Sequence, residues 1–280
     1  MSNLVEIENL RVAFRQDDGS FVDAVRGVSL SLGREKLGIV GESGSGKSLT
    51  GRALLGVLPP YARMSVDRMS FDGIDLTRAT RGQRRALRGG RMGMILQDPK
   101  FSLNPVMTAG DQIAEAIRMH KKSSWREARE GAVELLSQVQ IRDPKRVAGA
   151  YPHELSGGMG QRVMIAMMLV REPDLLVADE PTSALDVTVR GQVLTILDEL
   201  VTRRGMGLIL ISHDLKLVSR FCDRVLVMYA GRVVEDLVAS RLNEATHPYT
   251  RGLLACLPTI DGSLEPLTTL SRDASWAVAP

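Results

Sequence analysis

Residues 37–40, LGIV, run directly into GESGSGKS at 41–48 and then into SLTGRALLGVL. An apolar strand-like run, a glycine loop and a helix-spaced apolar segment that stops before Pro59 and Pro60 leave few folds open. Glycines at 41, 44 and 46 tolerate backbone conformations that other residues resist, so the loop can turn several N–H groups inward. The helix that follows adds its positive N-terminal end, and together they form an anion cradle. Gly41-x-x-x-x-Gly46-Lys47-Ser48 is the complete Walker A pattern, in which Lys47 reaches the β and γ phosphates and Ser48 offers its hydroxyl to Mg2+. A chance match in a Gly/Ser-rich surface loop is the competing reading. The strand before the loop and the helix after it argue against that.

The remainder of the chain suits such a core. At 280 residues, 44% hydrophobic and 25% charged, it fits one large globular domain or two modest ones. The longest apolar run, VMIAMMLV at 163–170, falls well short of the roughly 18 residues a membrane-spanning helix needs. The N-terminus MSNLVEIENL carries no basic region followed by a long apolar one, so no leader peptide is expected. A membrane role would therefore run through partner proteins. Two cysteines, Cys222 and Cys256, suffice for neither a disulfide framework nor a four-thiolate metal site, which favours a reducing compartment. Between Thr77 and Gly93 acids vanish while Arg78, Arg81, Arg84, Arg85, Arg88 and Arg91 recur. A solvated basic helix face accounts for this run, with nucleic acid or lipid headgroups as the other reading; no aromatics are interleaved for base stacking.

Along the chain, LVEIENLRVAF, FVDAVRGVSLSL and KLGIVG read as strands, the first two as an antiparallel region. From about residue 99 to 170 the texture is helical: TAGDQIAEAIRMH, WREAREGAVELLSQV and GQRVMIAMMLV carry apolar residues at three and four spacing. Then DLLVADE and MGLILISHD flank the helical DVTVRGQVLTILDELVTRR, a βαβ alternation that implies a parallel sheet. RVLVMYAGRVVED reads as a hairpin turning at Ala230-Gly231. The expected fold is α/β: a P-loop core with a parallel sheet, an antiparallel β subdomain and an inserted helical subdomain, with residues 259–280 as a loosely held tail.

A phosphate cradle needs a metal-holding acid and a group that positions water. LLVADE delivers Asp179 and Glu180 at the C-terminal end of a strand, where ligands of parallel sheets gather; Asp179 suits Mg2+ and Glu180 the attacking water. Two acids after an apolar run also serve as helix caps. His213 ends the strand LILISHD and is a candidate for contact with the γ phosphate, and Gln97 ends MGMILQDP by the same logic. In LSGGMGQR, Ser156, Gly157 and Gly158 open a second helix, either as a further set of N–H donors for phosphate or as an ordinary Ser cap. One Lys-bearing cradle and one Lys-less anion site suggest sites shared between two copies.

Through residue 258 these motifs, in type and order, resemble the ATP-binding subunit of an ABC transporter. The resemblance implies ATP and Mg2+ as cofactors. It makes GESGSGKS the Walker A motif, with Gly41, Ser43, Gly44, Ser45, Gly46, Lys47, Ser48 and Leu49 on the nucleotide, and LLVADE the Walker B motif with Glu180 catalytic. Gln97 becomes the Q-loop residue, placed at the metal with Ser48 and Asp179. LSGGMGQ becomes the signature, SALD the D-loop with Asp186, and His213 the switch histidine. Phe14 falls where the family stacks an aromatic ring on adenine, with core packing as the alternative.

LQDPKFSLNPVMTAGDQI, YPHELSGGMGQRVMIAMML and THPYTRGLLACLP are similar to the peptide and nickel importer branch, whose signature continues with Arg where this chain has Gly160. The resemblance implies ATP-driven uptake of di- or oligopeptides, or of nickel. It implies two transmembrane permease subunits and a second ATP-binding subunit, a heterodimer rather than a homodimer. An extracytoplasmic solute-binding protein would act indirectly, no nucleic acid is expected as partner, and the subunit would sit peripherally on the cytoplasmic face of the inner membrane. Cys256 stands alone in its region, so no iron–sulfur cluster is expected. The other class of function is a soluble ABC ATPase acting on nucleic acid or ribosomes, whose members resemble two joined cassettes or carry coiled-coil insertions; neither is seen here.

Overall fold

The computed structural model of the protein describes residues 3–97, 102–183 and 185–257, with Asp273 and Trp276. The chain forms two compact units, one from residues 1–80 and 209–280 and the other from residues 81–208.

The first unit begins with strands β1 (Val5–Arg15) and β2 (Phe21–Leu32), antiparallel from Val5 opposite Leu32 to Arg15 opposite Phe21. Buried positions fall on Val5 and Ile7 and then switch to Leu10 and Val12. An inward-facing stripe of period two can change phase only across a bulge. The bulge is seen as register shifts after Ile7, with Asn9 at φ 52° in the first shift and Gly27, φ 84°, in the next one between Leu10 and Arg11. Strand β3 (Lys36–Val40) leads into helix α1 (Lys47–Leu55), which Gly56 terminates in the left-handed conformation at φ 63°. Short strands β4 (Ala62–Ser65) and β5 (Arg68–Phe71) pair with β1, and β6 (Ile74–Asp75) pairs with β5.

In the second unit the basic stretch becomes helix α2 (Arg81–Gly90), and β7 (Met92–Ile95) follows. Helices α3 (Ala109–His120), α4 (Trp125–Gln138), α5 (Pro144–Ala148) and α6 (Gly157–Leu169) come next, then β8 (Leu175–Asp179) and α7 (Val187–Arg204). Strand β7 pairs parallel with β8, from Met92 opposite Leu175 to Ile95 opposite Ala178. Five helices start on side-chain caps at Thr108, Ser124, Asp143, Ser156 and Asp186, each worth about 1 kcal/mol. Ser124 and Glu127 close a reciprocal capping box, Glu127 N to Ser124 Oγ at 3.2 Å and Ser124 N to Glu127 Oε2 at 2.7 Å. The core between these helices is built from Ile113, Ala128, Ala132, Leu136, Val163 and Ile165, all fully buried.

The chain returns to the first unit along β9 (Gly207–Ser212), then helix α8 (Leu215–Phe221), β10 (Arg224–Tyr229), β11 (Arg232–Val238) and helix α9 (Pro248–Ala255). Here the strand order is β11-β10-β3-β9, with β3 parallel to β10 and β10 antiparallel to β11. Strands covered on both faces read as continuous apolar runs, and Gly207–Ser212 is buried at every position. Helix α8 lies so close to β3 that a Cβ on Gly38 would stand 2.1 Å from Val218 Cγ1. The β10–β11 hairpin turns at Ala230, φ 46°, and Gly231, φ 84°, two positive values in succession that define a type I′ turn.

Candidate functional site

In the first unit, loop 41–46 joins β3 to α1 under steric control. At Gly41, φ 148°, an added Cβ would lie 2.1 Å from Met228 O, and at Gly46, φ 95°, 2.9 Å from Ala24 O. Gly44, φ 82°, has open space around it, so its glycine serves conformation alone. Lys47 is buried, and its ammonium donates to Gly41 O and Glu42 O at 2.8 Å each, and to Ser45 Oγ at 3.5 Å. The loop's own carbonyls thus hold a positive charge beside backbone donors. Gly46 stands at the N-terminus of α1 without a side-chain cap, at the helix end where backbone N–H groups gather and the dipole is positive. A pocket of about 210 Å³ opens against Glu42, Ser43, Gly44, Ser45, Tyr229 and Ala230. Ser48 and Leu49 are half-buried in the first turn of α1. This donor set suits a polyphosphate.

Phe14 is half-buried near the end of β1, its ring centroid 5.9 Å from that of Tyr61. Tyr61, 70% exposed, was not singled out from the sequence, because a lone Tyr after Pro59-Pro60 reads as a loop residue. His213 is exposed where the chain leaves β9, the neighbour of β3 in the sheet. Its flanks are fixed: Asp214 N donates to Ser212 Oγ at 3.0 Å, and Asp214 caps α8 through Leu217 N at 3.0 Å.

In the second unit, Asp179 ends β8 and is 4% exposed. Glu180 follows with φ 46°, a left-handed conformation that costs a non-glycine residue about 1–2 kcal/mol. That turn throws its carboxylate off the strand axis, where Gln97 Nε2 donates to Glu180 Oε2 at 3.2 Å. Among the residues expected to act, Gln97 and Glu180 are therefore in direct contact. Ser183 N and Oγ both bond Glu180 O, at 3.3 and 3.1 Å, and hold the turn.

Ser156 caps α6 by accepting from Met159 N at 3.4 Å, and Asp186 caps α7 by accepting from Val189 N at 3.0 Å. The structural alternative for Ser156 is thus present. Gly158 also has a packing reason: a Cβ there would lie 2.2 Å from Val189 Cγ1. Ser156, Gly158 and Met159 border a cavity of about 490 Å³ that Arg142, Arg146 and Arg162 also line. Gly160 is buried within α6. Ala184 of SALD, together with Asp98 to Phe101 after Gln97, lies outside the described residues.

Sequence reasoning missed the tyrosines behind the loop. Glu42 N donates to Tyr249 Oη at 3.0 Å, and Tyr249 packs 4.5 Å, centroid to centroid, from Tyr229. The available signal was a tyrosine inside the helix-spaced PYTRGLLA, a residue that carries a polar handle on an otherwise buried body.

The family model for ABC transporters matches residues 25–183, from β2 through the glycine loop to the turn after β8. The chain belongs to the ABC transporter family and is one of its ATP-binding cassettes. It is 46% identical over 266 residues to the dipeptide transport ATP-binding protein DppD of Bacillus subtilis (strain 168), covering 93% of this chain and 78% of that protein. It is 48% identical over 266 residues to the glutathione import ATP-binding protein GsiA of Escherichia coli O157:H7, covering 92% of this chain and 42% of that longer one. Among solved structures, the dimeric ATP-binding cassette MJ0796 bound to ADP and Pi aligns with TM-score 0.74 at 26% identity, over 84% of this chain and 98% of that one. CbiO1 of Clostridium perfringens, part of the ABC transporter complex cbiONQ, aligns with TM-score 0.73 at 27% identity, over 87% of this chain and 92% of that one. The α/β fold expected from the strand, loop and helix order is the fold these cassettes have. Among the described residues no helix is long and apolar enough to cross a membrane.

Proposed function

We propose that this cassette hydrolyses ATP to energise the import of di- or oligopeptides, as a peripheral subunit on the cytoplasmic face of the inner membrane. The observation that carries the reading is Lys47, buried and held by Gly41 O and Glu42 O in a loop whose glycines admit no side chain at 41 and 46. The dipeptide, peptide and glutathione import relatives support peptide over nickel and an importer over a nucleic-acid ATPase. In this reading residues 1–258 are the cassette, about 99–170 its helical subdomain and 259–280 a tail.

The loop from Gly41 to Leu49, with Ser43, Gly44 and Ser45, binds the phosphates, and Phe14 stacks on adenine. Ser48, Gln97 and Asp179 would hold Mg2+; hydroxyl, amide and carboxylate oxygens suit a hard cation. When bound, Mg-ATP supplies a polarised γ-phosphoryl group. Glu180 orients the attacking water and takes up its proton, Gln97 holds the Glu180 carboxylate until nucleotide arrives, and His213 contacts the γ phosphate. Ser156, Gly157, Gly158 and Asp186 serve the nucleotide of a second ATP-binding subunit, in a heterodimer. Two transmembrane permeases complete the transporter, and a solute-binding protein delivers substrate to them.

Reconstituting the chain with the permeases and second ATPase in liposomes tests this. ATP-dependent uptake of labelled dipeptide is expected, and Lys47→Ala should abolish it. ATPase activity that ignores peptide and its binding protein, with accumulation of nickel instead, would overturn the substrate.

A further inference from the structure

We propose that Tyr249 is a positioning residue for the phosphate-binding loop, so that the C-terminal helix α9 sets the readiness of the loop for nucleotide. The proposal rests on reading residues 41–48 as the nucleotide site.

Three observations carry it. Glu42, the second residue of the loop, gives its backbone N–H to Tyr249 Oη at 3.0 Å across 207 residues of sequence. Its carbonyl, on the other side of the same residue, accepts from Lys47 Nζ at 2.8 Å. Residue 42 is therefore the link between the tyrosine and the ammonium group. Tyr249 is itself immobilised: it is fully buried, 4.5 Å from the Tyr229 ring and 6.2 Å from that of Trp276. Finally, the start of α9 is moored to β11. Glu235 Oε1 accepts from Thr246 N at 2.6 Å, Thr246 Oγ1 at 3.1 Å and His247 N at 3.2 Å, and His247 Nδ1 accepts from Tyr249 N at 3.2 Å.

The physical consequence concerns the freedom of the loop. Glycines at 41, 44 and 46 give it many conformations to lose when phosphate arrives. An anchor at residue 42 removes part of that freedom in advance, and preorganisation of this kind appears as affinity. Glu42 N–H points to the phenol, and Ser45 N–H turns back to Glu42 O at 3.2 Å, so the anchored residue also ties down the middle of the loop. A hydrogen bond made before and after binding does not enter the chemical step, so its loss should alter affinity and leave turnover at saturation alone.

Tyr249→Phe in the full-length chain tests this, because it keeps the ring and deletes the oxygen. The ATP dissociation constant and KM should rise about two- to tenfold, the equivalent of one net hydrogen bond, with kcat little changed. Amide exchange in peptides covering residues 41–47 should quicken while exchange in β1 and β2 stays as in the parent. Lys47→Ala runs alongside. If it binds ATP as the parent does, the nucleotide-site reading fails. If it loses ATP while Tyr249→Phe keeps parental affinity and loop exchange, the positioning role fails. If Tyr249→Phe quickens exchange throughout the unit and lowers the thermal midpoint without altering the ratio of KM to kcat, the residue is structural and the proposal is overturned.

Discussion

The side-chain amide of Gln97 donates to the carboxylate of Glu180, Nε2 to Oε2 at 3.2 Å, and the backbone of Glu180 is left-handed at φ 46°. A strained turn at the end of β8 aims the carboxylate, and an amide from the end of β7 holds it there. Glu180→Gln keeps the size of the side chain and loses a proton acceptor. Turnover should fall at least about a hundredfold, while ATP affinity stays close to that of the parent. Single-turnover hydrolysis beside equilibrium nucleotide binding checks this, and near-normal hydrolysis would remove Glu180 from the chemistry.

Phe14→Ala should weaken ATP binding by about 1–3 kcal/mol if the ring stacks on adenine, and should leave inorganic triphosphate binding unchanged. Titrating both ligands separates the roles. Because Phe14 lies 5.9 Å from Tyr61, Tyr61→Ala belongs in the same experiment. An equal loss for ATP and triphosphate would assign Phe14 to packing.

A methyl group at Gly158 would meet Val189 Cγ1 at 2.2 Å. Gly158→Ala should therefore destabilise the second unit by about 1–3 kcal/mol through overpacking, and Val189→Ala in the same chain should restore most of it. If thermal stability returns in the double variant and hydrolysis does not, Gly158 has a role in the reaction beyond fitting against α7.

Burial alone would raise the pKa of Glu235. Hydrogen bonds from Thr246 and His247, with the Thr250 hydroxyl close by, outweigh it and hold the carboxyl below its ordinary 4.5. A depressed carboxylate contributes stability above its unfolded pKa and loses it as pH falls through the folded value. Thermal midpoints should therefore drop on acidification below about pH 4.5, and Glu235→Gln should flatten that part of the profile. An unchanged profile in Glu235→Gln would show that other carboxylates carry the acid response.

Much of the first unit was legible because its chemistry is local. Val5–Arg15 and Phe21–Leu32 alternate or bulge as strands do, and the glycine loop carries its own geometry. Helix α7 announces itself with Asp186 at one end and Gly205 at the other. The small strands β4, β5 and β6 were not legible: four, four and two residues long, they are strands only because β1 or β5 lies beside them. Asp179 and Glu180 could be read from the end of an apolar run. The approach of Gln97 to Glu180 joins residues 83 apart in sequence, and no local pattern encodes it. Tyr249 escaped for the same reason, since an aromatic in an amphipathic helix looks like core until its hydroxyl is seen to accept Glu42 N–H.

Two hairpins of the first unit, β1–β2 and β10–β11, differ in how they would tolerate being cut or lengthened. The turn between β1 and β2 runs through Asp17, Asp18 and Gly19, closed by Gln16 N to Ser20 O at 2.8 Å, and its residues are mostly exposed. The turn at Ala230-Gly231 is stitched on two sides: Arg26 N donates to Gly231 O at 2.7 Å, and Gly231 N donates to Ser45 O at 3.2 Å. An affinity tag, a fluorescent domain or new chain termini can enter at residues 17–19 with only an exposed bend disturbed. The same insertion at 230–231 would pull a staple out of the wall behind Ser45, and the first symptom would be a protein that folds and no longer holds nucleotide.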